Sequence, residues 1–204
     1  MMGRTGKILL LVFAALAGFA LSFYVFFPLD GAVRTLWRDA ARKAAAEGFV
    51  LDSSGIETKR FPLSVAFLNL RVTSPLLSAE AGRAEFAPSL LSSLKNLSPA
   101  GRLRLERVTI VLPLPGEAPL FLSALEGVLT ARKEGLEGEI LKSEGDLEIS
   151  GHASLSFGKR GIEAADLLFQ GARSTLLESF APLLGLKKEP SGGWRLLKKG
   201  KTEK

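Results

Sequence analysis

The chain has 204 residues with 27 Lys and Arg against 21 Asp and Glu, a formal net charge of +6, one histidine and no cysteine. Disulfides and thiolate metal sites are therefore excluded, and one imidazole leaves little room for His-based catalysis or metal binding. The positive charge sits at the ends. Residues 185–204 hold seven basic and two acidic groups, whereas residues 48–184 hold 14 basic and 16 acidic. A basic nucleic-acid face across the body is excluded on that count.

Residues 1–7 form a short basic N-terminus with Arg4 and Lys7, and residues 8–29 follow as a run of 22 without a charge. At about 1.5 Å per residue such a run spans roughly 33 Å, enough for a hydrocarbon core of about 30 Å. It predicts a transmembrane helix built on Ile8, Leu9, Leu10, Phe13, Leu16, Phe19, Phe23, Tyr24 and Phe27. The flanking positive charges predict a cytoplasmic N-terminus and a body on the far side of the membrane. The alternative is a cleaved signal peptide ending at the small-x-small triplet Ala15-Leu16-Ala17.

Residues 30–48 predict an amphipathic helix capped by Asp30 and stopped at Gly48. Arg34, Arg38 and Arg42 recur at i, i+4 and i+8 and form one stripe, with Trp37 beside it. These four are candidates for contact with a membrane surface or a partner; the plainer reading is the solvated side of a helix packed on a sheet.

Residues 49–197 predict a β domain, with early strands at 49–57, 63–73, 76–86 and 102–112. Two of these change phase. Leu63, Val65 and Phe67 give way to Leu68, Leu70 and Val72, and Leu103 and Leu105 give way to Val108, Ile110 and Leu112. Such a switch signals a bulge, a bend or a strand apolar on both sides. Pro88 to Leu97 predicts a short helix or turn. Glycine-containing charged clusters at 132–135, 142–145 and 158–161 then divide residues 121–171 into a four-stranded meander. Within it Leu147, Ile149, Ala153, Leu155 and Phe157 alternate with Glu148, Ser150, His152, Ser154 and Ser156. This places the single histidine on the polar, solvated face. A short helix at 176–184, a short strand at 194–197 and a basic tail at 198–204 complete the chain.

No phosphate loop, dinucleotide fingerprint, nucleophile elbow or HExxH motif is present. Glu134, Glu137, Glu139, Glu144, Asp146 and Glu148 cluster near hairpin turns, interleaved with basic residues and glycine, as on a solvated rim. The sequence predicts no enzyme, no cofactor, no metal and no nucleic-acid partner.

Four stretches together resemble the type II secretion system protein N family (general secretion pathway protein N). They are the run ending in Phe27-Pro28-Leu29-Asp30 with its Arg- and Ala-rich helix; Ala87-Pro88-Ser89-Leu90-Leu91-Ser92-Ser93-Leu94 before Gly101-Arg102-Leu103-Arg104-Leu105; the Gly-punctuated meander; and Phe180-Ala181-Pro182-Leu183-Leu184-Gly185 leading into Gly192-Gly193-Trp194-Arg195-Leu196. The resemblance implies an inner-membrane, single-pass protein with a periplasmic β domain, accessory to protein export, and it carries no catalytic residues. Its pattern is also similar to AsmA-like proteins, which implies a curved antiparallel sheet, either a β-groove or an open sandwich. Family members continue past the Gly-rich segment with another strand, whereas here the chain turns into Lys198-Lys199-Gly200-Lys201.

The expected class is thus mainly β with an N-terminal transmembrane helix and two or three short helices. The expected partners are the inner membrane, other secretion-system envelope proteins and, in the alternative, lipid. Docking would proceed by strand addition at a sheet edge. In the lipid alternative Leu103, Leu105, Leu147, Ile149, Leu155 and Phe157 line an apolar groove; otherwise they form a core.

Overall fold

In the computed structural model, residues 28–46, 48–74, 77–89, 93, 98–111, 118–133, 135–156, 161–179 and 181–198 are described. The segment expected to cross the membrane lies outside them except for its last two positions. No described helix is long and apolar enough to span a bilayer.

Helix α1 (Leu29–Ala46) is followed by eleven strands: β1 (Val50–Asp52), β2 (Gly55–Arg60), β3 (Leu63–Ser74), β4 (Leu77–Pro88), β5 (Ala100–Val111), β6 (Leu120–Arg132), β7 (Gly135–Gly145), β8 (Glu148–Ser156), β9 (Gly161–Gln170), β10 (Leu186–Lys188) and β11 (Trp194–Lys198). A 3-10 helix (Ser174–Ser179) and α2 (Ala181–Leu184) separate β9 from β10. All strands lie in one antiparallel sheet of order β1-β3-β4-β5-β6-β7-β8-β9-β11-β10, with β2 also on β3. The expected meander is present as β6 to β9. The last strand is short, yet it pairs with β9 over five positions and holds β10 on its other side.

Alternation gives the sheet two unlike faces. Val65, Phe86, Leu103, Gly127, Ile140, Gly151, Leu167 and Leu196 form one unbroken cross-strand row from β3 to β11. One residue along, on the opposite face, run Glu57, Ala66, Glu85, Arg104, Glu126 and Lys142. One face is therefore apolar and the other is a ladder of alternating charge, which favours cross-strand pairs.

The two phase switches seen in the sequence belong to a single line across the sheet. Leu68 and Leu70 pair with Arg83 and Ala81, leaving Asn69 opposite Gly82. Arg107 falls opposite Gly82, and Ser123 opposite Arg107. Asn69 and Arg107 adopt φ of 47° and 54°. A Cβ on Gly82 would meet the Arg107 Nε at 2.8 Å, so the glycine makes room for that guanidinium. On both sides of this line apolar residues return to the same face three positions apart: Leu105 and Val108 in β5, Leu125 and Leu122 in β6. Four neighbouring strands make the same slip, so the pairing between β3, β4, β5 and β6 keeps its register.

The core lies on the apolar face beyond this line. Ala81, Val108, Leu120, Leu122 and Leu147 from the sheet meet Leu177 and Ala181 from the short helices and Leu186 and Trp194 from the last strands. Helix α1 covers the other flank. Thr58 on β2 donates a hydrogen bond to Asp30, Trp37 meets the Phe67 ring at 4.6 Å, and Phe49 N–H donates to Ala44 C=O at 2.9 Å. The helix therefore runs antiparallel to the β1–β2 edge. No α1 residue is buried.

Candidate interaction site

Between α1 and the edge closed by β10, part of the apolar face has no described cover. A depression of ≈ 220 Å³ opens there, lined by Leu103, Leu129, Leu136, Ile140, Leu155 and Leu167 among others. Its floor is low because Gly127 and Gly138 carry no side chain; a Cβ at Gly127 would meet Glu139 C=O at 2.6 Å. Leu155 and Ile162 pair across β8 and β9 at its rim and are 44% and 37% exposed.

The six residues proposed for a groove or a core are thus divided. Leu147 is buried in the core, and Leu105 and Ile149 pack against it. Leu103 and Leu155 line the depression. Phe157 lies outside the described residues. Leu125, Leu129, Leu136, Ile140, Ile162 and Leu167 also line it and were not singled out from the sequence. Their signal is faint, because apolar residues alternating with glycine in β6 and β7 look like ordinary strand interior.

A second hollow, of ≈ 160 Å³, lies between α1 and the turn from β1 to β2, lined by Arg34, Trp37, Arg38, Ser53, Ser54 and Ile56. Arg42 turns instead to Asp39 at 3.8 Å. The stripe read from the sequence is therefore divided, with two guanidiniums over the hollow and one in a helical pair. Of the proposed anchor residues, all nine lie outside the described part of the chain.

The charged face is held by ion pairs. Arg83 bridges Glu57 at 2.9 Å and Glu85 at 3.4 Å, and Lys142 meets Glu144 at 2.6 Å. The Ser64 hydroxyl, then Arg83, hold the Glu85 carboxyl below its ordinary range against an opposing effect of burial. Arg195 grips Asp166 at 2.7 and 2.8 Å through two nitrogens, and Glu189 approaches at 3.5 Å. This bidentate contact raises the guanidinium's pKa and lowers that of Asp166. His152 is exposed, pairs in register with Glu139 and Asp166, and lines a shallow pocket with Arg195 and Ser191. The turn carboxylates are largely engaged: Glu137 with Arg132, Glu144 with Lys142, and Asp146 with Arg173 and the Phe121 N–H. No group of three or more His, Asp or Glu suited to a metal occurs among the described residues.

A family profile described as type II secretion system protein GspN-like, Synergistales, matches residues 6–198. Neither curated proteins nor solved structures give a match.

Proposed function

Because the chain belongs to the type II secretion system protein GspN-like family, we propose that it serves that machine as a non-enzymatic, inner-membrane component with a periplasmic sheet. The observation that carries the reading is the family match over nearly the whole chain. The sequence supplies the rest: a 22-residue uncharged run preceded by Arg4 and Lys7 fits a single anchor with the N-terminus in the cytoplasm. The sheet offers edges for strand addition by envelope partners, since β10 pairs with β11 alone among the described strands. Catalysis is not invoked, because the conspicuous charged groups are held in ion pairs within and between strands. Deleting the gene and measuring export of secreted enzymes tests the reading. Loss of export, restored by the full chain, is expected; unchanged export overturns it.

A second reading is favoured by one observation, the apolar depression of ≈ 220 Å³ with Leu155 and Ile162 open to solvent. An apolar trough of this kind suits an acyl chain shielded between the membranes. Mass spectrometry of lipids co-purified with the full chain separates the two readings. Bound lipid lost in Leu155→Glu supports the second, and its absence removes it.

A further inference from the structure

One end of the sheet gathers positive charge, and it is the end at which α1 begins. The β2–β3 turn follows Arg60, which pairs with Leu63. Pro88 pairs with Gly101, Arg132 with Gly135, Gly135 with Ser156, and Ser156 with Gly161, so these strand ends share that side of the sheet. Lys198, the last residue of β11, pairs with Ala165 on the same side. The end therefore collects Lys59 and Arg60 from β2, Arg132 and Lys133 from the β6–β7 turn, and Lys198 from β11. The described carboxylates at the outer rows are Glu137, which holds Arg132, and Glu163. Asp30 lies against Thr58, and Glu85 acts electrostatically on Lys59. Glu139 and Asp166 lie one row further in than Lys198, with Arg195 on Asp166. At the tip of the β2–β3 turn stands Phe61, 73% exposed, the most exposed large apolar side chain among the described residues.

The start of α1 is fixed beside this turn by the hydrogen bond from Thr58 to Asp30. Phe61 lies three residues further along, roughly 10 Å at the rise of a strand. Because α1 runs antiparallel to β2, that direction is also the one from which the chain enters the helix. If residues 8–29 are the anchor, the turn points back at the bilayer whose headgroup layer is about 5–7 Å thick on each side. A phenyl ring flanked by Lys59 and Arg60 is suited to that layer, where aromatic rings settle and cations meet lipid phosphates.

We infer that this end of the sheet is a second membrane-contact surface, in which Phe61 enters the interface and Lys59, Arg60 and Lys133 face the phosphates of anionic phospholipid. The inference rests on the anchor reading above and adds an orientation to it. The strands stand with this end against the membrane, and the rim of the apolar depression formed by Leu155 and Ile162 lies on the same side.

The test uses the full chain, which has no native cysteine, so one introduced thiol is the only label site. Phe61→Cys and, as the reference at the far end of the sheet, Val50→Cys each carry an environment-sensitive fluorophore. Each is reconstituted in vesicles of phosphatidylcholine alone or with phosphatidylglycerol. The probe at position 61 is expected to shift to the blue and to be quenched by lipids brominated near the headgroup, most strongly with phosphatidylglycerol. The probe at position 50 is expected to stay in water. Adding Lys59→Gln and Lys133→Gln to the Phe61→Cys chain should lower the ratio of docked to undocked protein about 25-fold at low salt, about fivefold per cation. A probe at position 61 that stays in water while the chain resists alkaline carbonate overturns the docking surface alone. A chain that carbonate releases overturns the anchor and the docking surface together.

Discussion

At the level of single residues, the charged face and the glycines make different demands. Glu85 is held below its ordinary carboxylate value near 4.5 by the Ser64 hydroxyl and Arg83. A lowered folded-state value contributes stability that is fully present above the unfolded value and is lost as pH falls through the folded one. Urea titrations between pH 6 and pH 3 should therefore show stability falling on the acid side. Glu85→Gln should flatten that limb, and an unchanged slope would remove Glu85 from the account. Gly151 is constrained by the backbone instead. Its φ is 115°, and a Cβ would meet Asp166 C=O at 2.0 Å. A methyl group there brings both a disfavoured φ and a clash with a neighbouring strand, so Gly151→Ala is expected to cost about 2–4 kcal/mol in urea unfolding. A loss below about 0.5 kcal/mol would show that β8 and β9 yield freely at this point.

At the level of elements, the transverse line through Asn69, Gly82, Arg107 and Ser123 is what keeps the apolar residues on one face through the change of phase without breaking strand pairing. Asn69 occupies the left-handed region, which asparagine tolerates, and its Nδ2 donates to Ser54 Oγ at 3.0 Å. Asn69→Ala should cost about 1–2 kcal/mol, while Asn69→Gly should cost less, since glycine keeps the conformation and forfeits only the hydrogen bond. Equal costs would show that the side-chain contact, not the backbone, matters. The sequence shows the phase changes between Phe67 and Leu70 and between Leu105 and Val108. It does not show that they are the same feature, because alignment across strands depends on register, and register is a property of pairs. The meander was legible for the opposite reason: its turns carry glycine within charged clusters, and its strands follow one another locally. The cover over the core was only partly legible. Leu176 to Leu184 announces a helix, but not that Leu177 and Ala181 close the face beside Leu122 while Leu155 is left open.

At the level of the whole molecule, one sheet face does two things at its two ends, and identical substitutions should reveal the division. Leu122 is 1% exposed and lies beneath the short helices and last strands; Leu155 is 44% exposed at the rim of the depression. Truncating a buried leucine loses its transfer energy and leaves a cavity, so Leu122→Ala should cost about 3–5 kcal/mol. Truncating a leucine already half in water leaves no cavity, so Leu155→Ala should cost about 1 kcal/mol or less. Both values follow from urea unfolding of the detergent-solubilised full chain. A large cost at Leu155 would mean that the depression is sealed in solution, and the lipid reading would lose its opening. A small cost would mean that the fold does not need this apolar surface for its own stability. The surface then remains available to whatever meets the end of the sheet at which α1 begins, where the exposed phenyl ring of Phe61 also lies.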